Sequence, residues 1–178
     1  MKVIINIDGG SRGNPGIGAS AYVIKDESGK ILAQEGHFIA HCTNNQAEYT
    51  ALRLALIKAA ELGATQLSII SDSLLLVKQY LGEYKIKNPD LAERMTEIRQ
   101  LAKPFQIQIQ HVLRHLNKEP DALANKAMDL KESVGFNPIQ NLQPEIVPDM
   151  VVNGVEVKPV KRTAAKTNKN ANQPSLFD

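Results

Sequence analysis

Residues 2–8, Lys-Val-Ile-Ile-Asn-Ile-Asp, place Val3, Ile5 and Ile7 on one side of an extended chain and Lys2, Ile4 and Asn6 on the other. Both sides are largely apolar. A strand of that kind needs cover above and below, so it belongs in the middle of a sheet. Asp8 closes it, and GGSRGNPG follows as a glycine- and proline-rich turn. Residues 19–26 and 30–40 read as two more strands, joined by the Asp26-Glu27-Ser28-Gly29 turn. Three consecutive strands pair most economically as an antiparallel meander.

Residues 44–62 form the clearest helix. Thr43 at the N-cap and Gln46 three places on make a capping box, and Gly63 supplies the stop. Ala47, Ala51, Leu54, Ala55 and Leu62 mark its buried stripe. Residues 66–71 are a short β-branched strand, and 73–84 read as helix. Asn88-Pro89-Asp90 opens another helix with Pro89 at its first position. In 105–113, Ile107 and Ile109 alternate with Gln106, Gln108 and Gln110, which describes a strand with one wet face. Residues 120–132 form the last helix.

This order predicts an α/β fold: a central mixed five-stranded sheet, three antiparallel strands then two parallel, with helices on both faces. After about Ser133 proline, asparagine, lysine and threonine accumulate and periodicity is lost. Residues 1–134 are therefore expected to form the folded domain. Residues 135–178 are expected to be a largely disordered tail, with a brief strand at 150–157. A length of 178 residues suits one domain plus such a tail.

Composition excludes several classes. Hydrophobic content of 43% with 22% charged residues is that of a soluble globule. No apolar run approaches the 18 or so residues of a membrane span, and no basic-then-apolar leader begins the chain. The expectation is a cytoplasmic protein, monomeric, with no membrane partner. One cysteine, Cys42, rules out an internal disulfide and reads as a small half-buried filler. The net charge of +2 is too mild to decide about nucleic acid by itself.

The chemistry lies in four acids. Asp8 and Asp72 end strands, while Glu48 and Asp121 fall in the opening turns of helices. Each has a bland role available: Asp8 shapes a turn, Asp72 caps a helix, Glu48 and Asp121 complement a helix dipole. Structural needs do not require an acid at all four ends together. Two unit charges about 4 Å apart repel by roughly 4 kcal/mol at an effective dielectric of 20. A cage of such groups needs protons or cations, and hard oxygen ligands suit Mg²⁺ or Mn²⁺. Paired metals held this way typically cleave phosphodiesters.

DGGSRGNPG, TNNQAEYTAL, SDS and NKEPDALAN, in that order, resemble type 1 ribonuclease H over about residues 1–132. The resemblance implies a ribonuclease H-like fold and hydrolysis of the RNA strand of RNA–DNA hybrids, leaving 5′-phosphate and 3′-hydroxyl ends. It carries the catalytic carboxylates onto Asp8, Glu48, Asp72 and Asp121. These would hold two Mg²⁺ ions about 3.5–4 Å apart, with Mn²⁺ as a substitute. Gly10, Ser11, Gly13 and Asn14 resemble the family's 2′-hydroxyl contacts. Thr43, Asn44 and Asn45 match the segment at the minor groove and DNA phosphate, although Thr43 and Asn44 also suit a plain capping role.

Two departures stand out. The family's loop histidine would fall at His111, which lies inside the Gln-Ile-Gln strand and reads as structural. Arg114 resembles the arginine stand-in of short-loop members for product departure, with His115 next. The basic, tryptophan-bearing handle of some members is missing; Lys78, Lys85 and Lys87 are the remaining candidates for phosphate contact, or a solvated face. In the tail, five basic residues without an acid run from Lys158 to Lys169, suiting loose nucleic-acid contact or a solubilising linker equally. Gln173-Pro174-Ser175-Leu176-Phe177 resembles the bacterial sliding-clamp binding peptide, with Gln173, Leu176 and Phe177 as the contact residues. Two other readings compete with the hybrid ribonuclease: a catalytically silent nucleic-acid binding module, and a nuclease for structured RNA or tRNA ends.

Overall fold

A computed structural model describes residues 1–136. Residues 137–178, with the strand expected at 150–157, the basic segment and Gln173, Leu176 and Phe177, lie outside the described residues.

Strands β1 (Lys2–Gly13), β2 (Gly16–Lys25) and β3 (Ile31–Cys42) form the antiparallel meander, and α1 (Asn44–Glu61) follows. Then come β4 (Gln66–Ser71), α2 (Leu74–Tyr80), α3 (Pro89–Ala102) and β5 (Gln106–His111). A 3₁₀ turn at Arg114–Leu116, α4 (Lys118–Leu130) and β6 (Val134–Phe136) complete the order. The sheet runs β5-β4-β1-β2-β3-β6, with β1–β4 and β4–β5 parallel and the other pairs antiparallel.

The strand with two apolar faces does sit inside the sheet. Val3, Ile5 and Ile7 are fully buried in the larger core, against Tyr49, Leu52 and Leu56 of α1 and Ile69 of β4. Burying each such side chain contributes about 1.5–3 kcal/mol. The core also takes Leu76 of α2 and Met95 and Ile98 of α3. On the opposite face α4 packs Ala124, Ala127 and Met128 onto Ala19 and Ala21 of β2. Helices therefore cover both faces, as expected.

Four details differ from the sequence reading. Among the described residues the sheet has six strands, not five: Val134–Phe136 pairs antiparallel with Gln34–Gly36, and three residues are too short to show a period. GGSRG is strand rather than turn, because β1 pairs with β2 as far as Gly13↔Gly16. The stripe of α1 is wider than expected: Ala47, Ala51 and Ala55 are buried, Tyr49, Leu52, Leu56 and Ala59 join them, and Leu54 and Leu62 are only partly buried. Helix α2 stops at Tyr80 instead of continuing to residue 84. The α1 capping box of Thr43 and Gln46 is present, as are the Asn88 cap and Pro89 start of α3. Among the described residues no helix is long and apolar enough to cross a membrane.

Candidate active site

Asp8 lies on β1 where that strand outruns its parallel neighbour, since the β1–β4 pairing stops at Ile7↔Ser71. Asp72 follows immediately at the end of β4. It does not cap α2: Ser73 does, its hydroxyl accepting from the Leu76 N–H at 3.2 Å. Glu48 is on α1, five places beyond the Thr43 cap and past the first turn, which holds no acid. The helix-dipole role is thereby weakened for Glu48, while Asp121 does sit in the first turn of α4.

Gly9 decides how close α1 comes to β1. A Cβ there would lie 2.4 Å from the Ala47 carbonyl carbon and 2.5 Å from the Glu48 nitrogen. Only hydrogen fits. The Ser20 hydroxyl, donating to the Ala47 carbonyl at 2.6 Å, ties the same turn of α1 to β2. This close approach brings a carboxylate oxygen from each of Asp8, Glu48 and Asp72 within 4.8 Å of one another. Asp121 lines the same cleft, of about 520 Å³, and accepts from the Arg114 guanidinium at 3.0 Å.

The electrostatic consequence is severe. Burial, reinforced by the charges of Asp72 and Asp121, pushes Asp8 up from 3.8 to about 7. Burial and then the charges of Asp8 and Asp72 raise Glu48 well above the usual carboxylate range. The Glu48 Oε2 is buried without a hydrogen-bond partner, the arrangement a cation relieves. The donor set is all oxygen and anionic, which fits a hard divalent metal. A second concavity, between Lys2 of β1 and Gln108 of β5, is lined by no acid.

Residues 6–127 match the family model described as reverse transcriptase-like. The chain belongs to the type 1 ribonuclease H-like family. It is 44% identical over 131 residues to the bifunctional protein Rv2228c of Mycobacterium tuberculosis, covering 72% of this chain and 36% of that one. It thus spans about a third of that relative's length. The crystal structure of RNase H1 from Halobacterium salinarum superposes with a TM-score of 0.70 at 42% identity, over 72% of this chain and 98% of that one. LC11-RNase H1, solved in complex with an RNA/DNA hybrid, gives 0.69 at 36% identity, over 72% and 98%.

Within this ribonuclease H-like domain, Gly10, Ser11, Asn44 and Asn45 line the acidic cleft, whereas Gly13, Asn14 and Thr43 are not among its lining residues. The two groups are joined. Asn44 Oδ1 accepts from the Ser11 N–H at 2.9 Å and its hydroxyl at 3.1 Å, and Asn14 Oδ1 accepts from the Asn44 N–H at 3.1 Å. Gly13, with φ +93°, makes the turn that allows this. Thr43 is occupied as a cap. Arg114, 79% exposed, reaches the cleft, while His115 is not among its lining residues and His111 ends β5. Lys78 pairs with Glu83; Lys85 and Lys87 are exposed and have no ion-pair partner among the described residues.

The sequence reading missed Arg12, Ser73, Asn125 and Asn117. Arg12 pairs with Asp129 of α4 at 2.6 Å and lines the cleft with Ser73 and Asn125. Asn117 heads the NKEPDALAN segment at the N-cap position of α4, but its side chain makes no capping bond there and turns to β1 instead.

The raised Asp8 fixes a pH dependence for the metal-free protein. Folded Asp8 keeps a proton that the unfolded chain releases above about 3.8, so stability falls as pH rises from there through about 7. Glu35 and Asp90, held below their usual values, work oppositely at the acid end. The difference between parent and Asp8→Asn isolates the effect. In EDTA, urea denaturation should show the parent losing about 2–4 kcal/mol relative to the variant between pH 4.5 and 7.5. A flat or rising difference would contradict the burial of an uncompensated Asp8.

Proposed function

We propose that this domain is an endonuclease that hydrolyses the RNA strand of RNA–DNA hybrids, leaving 5′-phosphate and 3′-hydroxyl ends. The single observation that carries the reading is the buried, unpartnered Glu48 Oε2 inside a triad with Asp8 and Asp72. Asp8, Glu48, Asp72 and Asp121 would hold two divalent ions, Mg²⁺ by preference with Mn²⁺ as substitute, and these would supply an activated water and neutralise charge developing on the scissile phosphate. Asp8 would give up its proton on binding them. Arg114, exposed at the rim and paired with Asp121, is placed to turn toward the phosphate and aid product departure. The linked Ser11, Asn14 and Asn44 hold the Gly10–Asn14 strand end rigid. Its backbone can then approach the RNA strand and test for the 2′-hydroxyl. Thr43 and Asn45 extend that surface toward the DNA strand. RNase H1 neighbours, one of them solved with a hybrid, support this substrate class.

The domain acts as a cytoplasmic monomer, where Cys42 stays reduced. The deciding assay presents labelled hybrid, duplex RNA, duplex DNA and a structured tRNA, each with Mg²⁺, Mn²⁺ or EDTA. Metal-dependent cutting confined to the RNA of the hybrid is the expected result. Binding without cleavage by intact protein would favour a silent module, and cleavage of the tRNA alone would move the substrate to structured RNA.

Gln173, Leu176 and Phe177 dock into the apolar pocket of a bacterial sliding clamp, on the strength of the peptide's resemblance to clamp ligands. Such tethering raises the enzyme's local concentration on DNA, offsetting the missing handle. In a pull-down on immobilised clamp, Leu176→Ala/Phe177→Ala should lose most of the retention that the parent shows. Equal retention ends the idea.

A further inference from the structure

Asn117 stands at the start of α4, yet its side chain makes no capping hydrogen bond. It is 1% exposed. Its Nδ2 donates to the Ile7 carbonyl at 2.8 Å and reaches Asp72 Oδ1 at 3.5 Å, while its Oδ1 accepts from Asn6 Nδ2 at 3.0 Å. One buried amide therefore touches the peptide before Asp8 and the Asp72 carboxylate, and it heads the helix that carries Asp121. Three chain segments that bring acids to the cleft meet on this side chain.

We propose that Asn117 is the positioning residue that sets Asp72 and the start of α4 against Asp8, and so determines how tightly the carboxylates grip divalent metal. The chemistry requires an amide. Two acceptors, the Ile7 carbonyl and Asp72, each need a hydrogen, and Asn6 needs an acceptor; an asparagine meets all three demands at once. Aspartate would turn a bare oxygen toward two other acceptors. A hydroxyl has one hydrogen for two sites, and glutamine is a methylene too long for a packed position. The β1–β4 ladder ends at Ile7↔Ser71, so Asn117 extends the join between those strands by one side-chain link, at the point where the acids emerge. The donor reaching Asp72 is neutral, so it limits that carboxylate's rotation without competing as a cation. Outer partners that orient metal ligands typically matter by about 10- to 100-fold in metal affinity.

The inference rests on the reading that the acids hold metal, and a binding measurement separates the two. Isothermal titration of the full chain with Mn²⁺, without nucleic acid, is compared for the parent, Asn117→Ala and Asn117→Asp, with folding followed by circular dichroism. The expected result is folded variants whose Mn²⁺ affinity falls about 10- to 100-fold. A merely structural role lowers thermal stability but leaves affinity in the folded fraction unchanged. Affinity within twofold of the parent in either folded variant overturns the proposal. Should neither variant fold, the unaltered chain gives the answer: the Asn117 side-chain amide resonances should shift during Mg²⁺ titration with the midpoint of metal binding, and resonances that stay put overturn it. A parent that binds no metal sinks the proposed function itself. A parent whose binding depends on Asn117 but that cuts no hybrid sinks only the assigned reaction.

Discussion

Asp8→Asn should abolish hybrid cleavage while making the metal-free protein harder to unfold. The carboxylate is buried, faces Glu48, Asp72 and Asp121, and is pushed up to about 7. A neutral amide of the same shape removes the charge that burial penalises. Stability in EDTA at pH 7.5 should therefore rise by about 2–4 kcal/mol, seen as a higher Tm. Activity moves the other way. A metal site contributes several kcal/mol of charge stabilisation to phosphoryl chemistry, so losing its central ligand should lower kcat/KM about a thousandfold or more. The two effects share one cause, because the repulsion that destabilises the empty cage is what draws cations in. An Asp8→Asn enzyme with parental activity at equal Mg²⁺ would contradict the metal reading. A variant less stable than the parent in EDTA would contradict the electrostatic one.

Gly9→Ala should damage both fold and activity through a single methyl group. The added Cβ would lie 2.4–2.5 Å from three backbone atoms of Ala47 and Glu48, closer than the 3.0 Å that real Cβ atoms essentially never undercut. The obstacle is helix backbone, which has no rotamer to escape into. Helix α1 must retreat from β1, carrying Glu48 away from Asp8 and straining the Ser20–Ala47 hydrogen bond. Overpacking of this kind costs about 1–3 kcal/mol, measurable by urea denaturation. A displacement of about 1 Å at reacting groups lowers rate by about 10²-fold. The neighbouring Gly10→Ala is the control, since its Cβ would meet nothing closer than Asn44 Oδ1 at 3.9 Å and stability should not change. Equal stability of Gly9→Ala and Gly10→Ala would mean that α1 does not approach β1 as described.

Much of this domain was legible because the physics acting on it is local or periodic. Apolar residues on both sides of 2–8 required an interior strand, and Val3, Ile5 and Ile7 are indeed fully buried. The Thr43–Gln46 box and the Asn88-Pro89 start were read from capping chemistry alone, and both are present. The four acids announced themselves by recurring near the ends of the expected elements, although Asp8 lies midway along β1, which runs on to Gly13, and Glu48 lies past the first turn of α1. Local rules failed where a long-range contact overrode them. Glycine propensity made GGSRG a turn, yet those residues are strand, because they pair with β2 as far as Gly13, and the glycine at position 9 answers to the approach of α1. Capping propensity suggested Asp72 as a cap, but Ser73 takes that position and leaves the acid free. Asn117 drew no role from the sequence and is buried against the ends of β1 and β4.

The sequence by itself determined most of the elements, that the first strand is interior, and that acids stand just after β4 and in the first turn of α4. Those outcomes depend on side-chain periodicity and on hydrogen-bonding groups a few residues apart, which are written along the chain. Tertiary structure alone decided that Asp8, Glu48 and Asp72 converge within 4.8 Å, that Asp121 answers first to Arg114, and that Asn117 links the segments carrying them. Apart from the Arg114–Asp121 pair, seven positions apart, these distances arise from how a helix seats on a sheet, through contacts between residues 24 to 110 positions apart, and no local pattern encodes them.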